Sequence, residues 1–247
     1  MGIISKEAKN RFGGDKYRLL TAIFSREGLR EDLRSLCSIA FLQAESDREN
    51  LTRFLEIFVT DHVRLRSAYE ILLQGYLFCG YPKAIESFFC LNDAVSGKQG
   101  LAPGEFQPRL LGSSDELIRR GEDLSKTIHR DKFEKMRDRI SGLCPDLGYL
   151  MIAEGYGHVL SRDGLDLKSR ELAVVSTLTS LETHRQLHSH IRGARNIGCG
   201  DDEIYEAIVT GIAWSPSSKI ESAVGLWKEI TGRDTPEKID IIDPGRV

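Results

Sequence analysis

The sequence predicts an all-α protein made of two tandem helical repeats, and three observations lead there. Apolar residues recur at three- and four-residue spacings through long stretches, with glycine and proline mostly between them. No stretch of useful length alternates apolar and polar residues as a half-buried strand would. Finally, Ser25-Arg-Glu-Gly-Leu29 returns as Ser161-Arg-Asp-Gly-Leu165, 136 residues later. The same offset aligns Arg34 with Arg170, Leu36 with Leu172, Leu42 with Leu178 and Leu51 with Leu187. It also aligns Tyr69-Glu70 with Tyr205-Glu206, Gly75 with Gly211 and Lys83 with Lys219. Twelve of the 59 positions from Ser25 to Lys83 are identical without a gap, against roughly three or four for unrelated sequences of ordinary composition. This is the expected signature of one helical unit present twice.

Taken in order, Leu29 to Ala44, Asp47 to Thr60, Leu65 to Cys79 and Pro82 to Leu91 read as the helices of a first repeat spanning 12–91. Pro82 suits a first helical turn, where its missing N–H costs nothing. From 92 to 114 the composition turns to Ser-Gly-Lys-Gln-Gly, Ala-Pro-Gly and Gln-Pro, which reads as a linker. Charged helices follow from about Asp115 to Ser141. The second repeat, 115–232, continues with Pro145 to Leu160, Asp166 to Leu181, His184 to Ile197, Asp201 to Trp214 and Ser217 to Thr231. Asp201-Asp-Glu203 suits a helix N-terminus, where free N–H groups and the macrodipole favour carboxylates. The remainder, 233–247, reads as a polar, loosely held tail.

Bulk properties exclude several classes of function. The 247 residues carry a net charge of −3, so nothing in the charge balance favours nucleic acid or an anionic membrane as partner. No apolar run approaches the roughly 20 residues that cross a bilayer. Met1-Gly-Ile-Ile-Ser-Lys6 has no signal-peptide apolar region and only brushes the myristoylation pattern. Five cysteines, Cys37, Cys79, Cys90, Cys144 and Cys199, are odd in number and form no C-x-x-C pair. Reduced thiols in a cytoplasmic protein are the simplest reading.

The stretch from Asp166 to Leu181 is the most informative chemically. Leu167, Glu171, Val174, Leu178 and Leu181 share one helical face, four of them apolar and one a carboxylate. A glutamate on a core stripe loses solvation, which favours its protonated form and makes it a candidate acid or base near neutral pH. On the next helix His190 sits beside the apolar face of Leu187, Ile191 and Ala194. If the two helices form an antiparallel hairpin, the backbones of Glu171 and His190 are offset by only about 6 Å along the axis at 1.5 Å per residue. Such a pair is a workable proton relay. A buried polar pair that only satisfies itself is the alternative.

At these residues the chain resembles the carboxymuconolactone decarboxylase family. The resemblance runs through Pro145-Asp-Leu147, through Glu154-Gly-Tyr-Gly-His158 and on to Arg170-Glu-Leu172. It continues at His190-Ile-Arg-Gly-Ala-Arg-Asn-Ile-Gly198 and Asp201-Asp-Glu-Ile-Tyr-Glu-Ala-Ile208, and faintly at Gly80-Tyr-Pro-Lys-Ala-Ile-Glu86. The same superfamily includes alkylhydroperoxidase D-like proteins, with the pattern E-x11-C-x2-C-x3-H. Glu171 and His190 match its Glu and His, while Thr183 and Gln186 stand at the two cysteine positions. Neither forms a thiolate, so the resemblance implies proton transfer without the thiol peroxidase mechanism at this site. The decarboxylases usually carry an acidic residue where His158 stands. In the first repeat Ser35 and Phe54 occupy the positions of Glu171 and His190, which implies a structural half.

The resemblance therefore implies a cofactor-free, decarboxylase-like enzyme acting on a small lactone or cyclic acid. Glu171 and His190 are the candidate catalytic pair, with Tyr156, His158, Arg185 and Trp214 as candidate substrate contacts. His184 and His188, four apart, offer metal-ligand spacing without an evident third ligand, so no metal is expected. Single-copy relatives form hexamers, so the two-repeat chain is expected to form a homotrimer with a pseudo-sixfold ring. Two other functions remain open. One is a thiol peroxidase using Cys199 or Cys37, and the other is a helical oligomer that binds a small ligand without turning it over.

Overall fold

The computed structural model describes residues 2–109, 112–215 and 217–236, and every regular element among them is helical. Most of the predicted tail, from 237 onward, and residues 110 and 111 of the predicted linker lie outside these ranges. The chain opens with two helices that the sequence reading left unassigned, α1 (Lys6–Phe12) and α2 (Gly14–Phe24). They precede α3 (Glu31–Glu45), α4 (Arg48–Phe58) and α5 (His62–Val95). Asp47 and Asp61 cap α4 and α5, accepting from the backbone N–H groups of Asn50 at 3.1 Å and Arg64 at 3.0 Å. Helix α5 is two helices end to end. Gly80, at φ 80° and ψ 164°, breaks it two residues before Pro82, a conformation glycine adopts without strain.

The second part of α5 runs to Val95, so the irregular connection starts at Ser96 and not at 92. It is tied down. Phe106 packs edge-on against Tyr69 at 5.0 Å, and Lys98 Nζ donates to the carbonyls of Glu56 at 2.6 Å and Val59 at 2.8 Å. After it come α6 (Ser114–His129), a 3-10 turn (Arg130–Lys132) and α7 (Phe133–Leu143). The predicted charged stretch is thus divided, at Arg130, whose φ of 49° cannot continue a helix. Helix α8 (Pro145–Leu150) then widens into a π-helix (Met151–Leu160). The chain continues with α9 (Leu167–Ser180), α10 (His184–Asn196), α11 (Asp201–Val209) and, after a 3-10 segment (Thr210–Ala213), α12 (Ser217–Thr231). Asp166 caps α9 through the Ser169 N–H at 2.9 Å.

Helices α3 and α9 lie together at the centre. Every residue from Leu33 to Ala44 and from Ser169 to Ser180 is buried. A helix buried all round must satisfy its polar side chains from its neighbours. Ser176 Oγ does so by donating to the Cys37 carbonyl at 3.0 Å, which stitches the two helices together. Around them is one large apolar core. A smaller cluster, Ile128, Phe133, Ile152, Tyr156 and Leu160, lies between α6, α7 and the π-helix. Helix α6 meets the π-helix backbone to backbone. A Cβ on Gly121 would lie 2.0 Å from the Ile152 carbonyl oxygen, and one on Gly157 2.1 Å from that of Leu117. The Gly155-x-Gly157 pair therefore includes a helix-packing contact.

Buried charges are exchanged between the halves. Arg34 Nη1 pairs with Glu206 Oε2 at 2.9 Å, joined by Arg26 at 2.7 Å. At the positions 136 residues away, Arg170 Nη2 pairs with Glu70 Oε2 at 3.0 Å, joined by Arg162 at 2.9 Å. The lysines instead bond within their own halves, with Lys83 donating to the Ala44 carbonyl at 2.6 Å and Lys219 to the Ser180 carbonyl at 3.0 Å, and Lys219 also crosses to Glu45 at 2.7 Å. Burial works to raise Glu70, but the hydrogen bonds from Arg162 and Arg170 outweigh it and hold the carboxyl below the usual carboxylate range.

Replacing Glu70 by Gln leaves two buried arginines without their counter-charge and should cost about 3–5 kcal/mol, read from denaturant unfolding. The wild type also carries an acid signature. A carboxyl lowered in the folded state contributes its full stability above its unfolded value of 4.5 and loses it as pH falls through the folded value. Stability of the Glu70→Gln chain should accordingly depend less steeply on pH below about 4.5.

Candidate active site

The α9–α10 hairpin brings the predicted pair together. Glu171 is fully buried on α9 and His190 nearly so on α10, with His190 Nδ1 3.0 Å from Glu171 Oε2. With Glu171 ionised, that contact requires the proton on Nδ1, which leaves Nε2 to exchange protons with a substrate. The other carboxylate oxygen, Glu171 Oε1, is buried without a hydrogen-bond partner. An unsatisfied buried acceptor costs about 1–3 kcal/mol, so it calls for a donor: a proton or a ligand. Arg170, the residue before Glu171, is anchored to Glu70, Gln74 and the Arg162 carbonyl, which fixes the turn of helix that presents Glu171.

Two more polar side chains join the pair from the smaller apolar cluster. His129, the last residue of α6, is buried, and its ring centroid lies 6.3 Å from that of His190. Its Nε2 is 2.7 Å from the hydroxyl of Tyr156, which the π-helix presents. Burial, reinforced by neighbouring His190, lowers His129 to about 4, although Glu171 pulls the other way. Burial and then the Glu171 charge push the Tyr156 phenol upward. Both groups are therefore neutral near pH 7. Phe78, from the first part of α5, closes a further side with its ring 5.8 Å from His190.

The other predicted contacts sit elsewhere. His158 is half-buried on the π-helix; burial and the charges of Arg162, Arg109 and Arg120 lower it. Arg185 is exposed and lines a surface cleft of about 420 Å³ with Arg139, His184, His188 and Leu226. His184 Nε2 there lies 2.9 Å from Ser222 Oγ. Among the described residues no group of three or more His, Cys, Asp or Glu side chains is placed to hold a metal ion. Trp214 packs at 5.4 Å on Phe54 and at 5.9 Å on Phe12, and Phe24 and Phe58 complete that aromatic cluster. Phe54 is the position corresponding to His190, and the Ser35 hydroxyl, at the position of Glu171, donates to the Glu31 carbonyl at 2.8 Å. The N-terminal counterpart of the polar cluster is filled with rings.

Phe78 and His129 were missed from sequence. Phe78 was within reach, because it lies 136 positions before Trp214 and meets His190 as Trp214 meets Phe54. His129 has no counterpart at that offset, and the charged Arg130-Asp131-Lys132 follows it directly, so no pattern marks it.

Residues 145–229 match the family model of the Carboxymuconolactone decarboxylase family. The match includes Glu171, His190 and Tyr156 and leaves out His129. Peroxisomal protein 2 of Saccharomyces cerevisiae is 28% identical over 101 residues, which is 40% of this chain and 35% of that protein. The matched stretch is thus about a third of that relative's length.

The lowered His129 predicts a second pH dependence. The unfolded chain binds a proton at this residue near pH 6.5, and the folded chain refuses it until about 4. Stability contributed here is complete above about pH 6.5 and lost as pH falls toward 4. Unfolding midpoints of the wild type across that window should rise with pH, and His129→Leu should remove part of the slope.

Proposed function

We propose that this chain is an enzyme that moves a proton on a small carboxylic-acid substrate, with loss of CO2 from a lactone or other cyclic acid as its reaction. The observation that carries this reading is the buried Glu171–His190 contact at 3.0 Å with a second carboxylate oxygen left unpartnered. The family match over residues 145–229 supports the same chemistry. Decarboxylation needs a site that disfavours the free carboxylate and a proton for the carbon that loses it. Glu171 and His190 supply the acid and its orienting partner from the chain itself, so the reaction as proposed draws on no cofactor.

Thiol chemistry fits less well. Thr183 and Gln186 stand where the peroxidase pattern has cysteines. Burial pushes Cys37 and Cys199 up to about 12 and Cys79 to about 11, the wrong direction for a reactive thiolate. The free thiols suit a reducing compartment, and we assign the protein to the cytoplasm; the name of the yeast relative makes the peroxisome the alternative that imaging of the tagged chain would reveal.

With carboxymuconolactone as the probe, the purified protein should release CO2. Glu171→Gln and His190→Ala should each lower that rate by about 10²–10⁴-fold. Ser35→Ala, Phe54→Leu and a chain with every cysteine replaced by serine should keep most of it. A Ser35 variant as impaired as the Glu171 variant would contradict a single working half. Binding of the lactone without CO2 release would favour the ligand-binding alternative.

The two halves are two copies of one unit, supported by the matched Arg–Glu pairs, and three chains close a ring. Tyr81, Ile85 and Phe89 follow one another at four-residue spacing on the second part of α5, all more than half exposed, and Leu143 and Leu147 are exposed at the α7–α8 junction. Apolar groups in such rows favour burial against another surface. Light scattering should give a mass near three times 27.7 kDa, and a stable monomer at micromolar concentration would contradict the ring.

A further inference from the structure

The geometry points to Tyr156 as a second catalytic residue of the Glu171–His190 site, with His129 as its positioning partner. The phenol donates a hydrogen bond to the substrate oxygen on which negative charge collects as CO2 leaves. This rests on the decarboxylase reading for its substrate and on the geometry of the buried cluster for its chemistry.

Tyr156 and His129 reach the site from elements outside the α9–α10 hairpin, and their rings meet edge to face at 5.8 Å. Their shared hydrogen bond, at 2.7 Å, is the tightest contact in the cluster. His129 in turn lies against His190, so Glu171, His190, His129 and Tyr156 form one continuous buried group. The Tyr156 hydroxyl is carried by a π-helix, an irregularity that recurs at functional sites because it re-aims side chains. The close approaches of Gly121 to the Ile152 carbonyl and of Gly157 to the Leu117 carbonyl set how near α6 comes to that helix, and so where His129 ends relative to Tyr156.

The two pairs divide the work. In Glu171–His190 the carboxylate orients the imidazole, whose Nε2 exchanges a proton. In His129–Tyr156 both members stay neutral, so that arm offers a fixed dipole in a dry site, where a preorganised donor is worth most. The bond between the ring carbon and the carboxylate breaks, its electron pair moves through the conjugated system onto the carbonyl oxygen, and CO2 leaves. Tyr156 holds that oxygen by a hydrogen bond and keeps its own proton. His190, protonated at Nε2 as well as at Nδ1 when the substrate is bound, delivers the Nε2 proton to carbon as the electrons return, and a proton taken up from solvent restores it. For the phenol to donate outward, its oxygen must accept from His129, so the tautomer of His129 must be Nε2–H.

Two measurements test this. Nitrogen-15 NMR of the imidazoles in the full chain, without substrate, reads the His129 tautomer. Nε2–H is expected. An Nδ1–H imidazole, which would take the phenol proton for itself, overturns the assignment whether or not the wild type turns over the lactone. With carboxymuconolactone as the probe, Tyr156→Phe should lower kcat about 10²–10³-fold and leave KM within about threefold. His129→Gln, which keeps a donor, should retain much more activity than His129→Leu. A Tyr156→Phe enzyme with kcat within about twofold of the wild type, or equal losses in the two His129 variants, would remove the proposed roles. A wild type inert toward the lactone would instead sink the substrate reading, and the tautomer would still decide the hydrogen-bond direction.

Discussion

The exchange of buried charge across the α3–α9 core is the constraint on which the rest depends. Arg34 and Arg170 are both fully enclosed, and each finds its carboxylate on the opposite half of the chain. Burying a guanidinium is expensive unless the pairing and hydrogen bonding are nearly complete, and here they are close to that. In each case the arginine's own half supplies a carbonyl and the other half the counter-charge. Rotation or sliding of α9 along α3 would strand a charge on each side, so one register is strongly preferred. Apolar packing alone would tolerate more slippage, because area burial is not directional.

The candidate site inherits its precision from that lock. Glu171 is the next residue after Arg170, so the arginine's partners determine which way the carboxylate faces. The hairpin then supplies His190, and the site sits at the seam between the large core and the smaller cluster under α6 and the π-helix. A seam suits polar chemistry. Residues there are shielded from water, yet the two apolar bodies need not interlock as tightly as the interior of one core. Four polar side chains converge in this one, whereas Phe54, Phe58, Phe24, Phe12 and Trp214 cluster in and against the large core itself. Polar side chains thus gather at one end and aromatic rings at the other, around His190 and Phe54, which lie 136 positions apart.

Local signals carried much of the secondary structure. Asp47, Asp61 and Asp166 precede their helices and cap them through contacts three residues away, and Gly80 with Pro82 marks the break in α5 for reasons internal to the backbone. Boundaries drifted where tertiary contacts decide. The end of α5 runs past 91 to Val95, where Cys90, Leu91, Ala94 and Val95 are buried in the main core. The π-helix depends on how closely α6 approaches at Gly121 and Gly157, and nothing in Glu154-Gly-Tyr-Gly157 by itself requires it.

By itself the sequence determined the helical class, the hairpin of α9 and α10, and the meeting of Glu171 with His190, because helical periodicity and an antiparallel turn are short-range geometry. Only the tertiary structure decided which charges meet. Arg34 and Glu70 lie in the same half, yet Arg34 pairs with Glu206 and Glu70 with Arg170. It also moved Trp214 to the aromatic end and put Phe78 beside His190. Likewise it brought His129 to Tyr156 across 27 residues of chain. Contacts of that range depend on which helix faces pack together, and that is set by the cost of leaving any buried charge or hydroxyl unpaired, summed over the whole core.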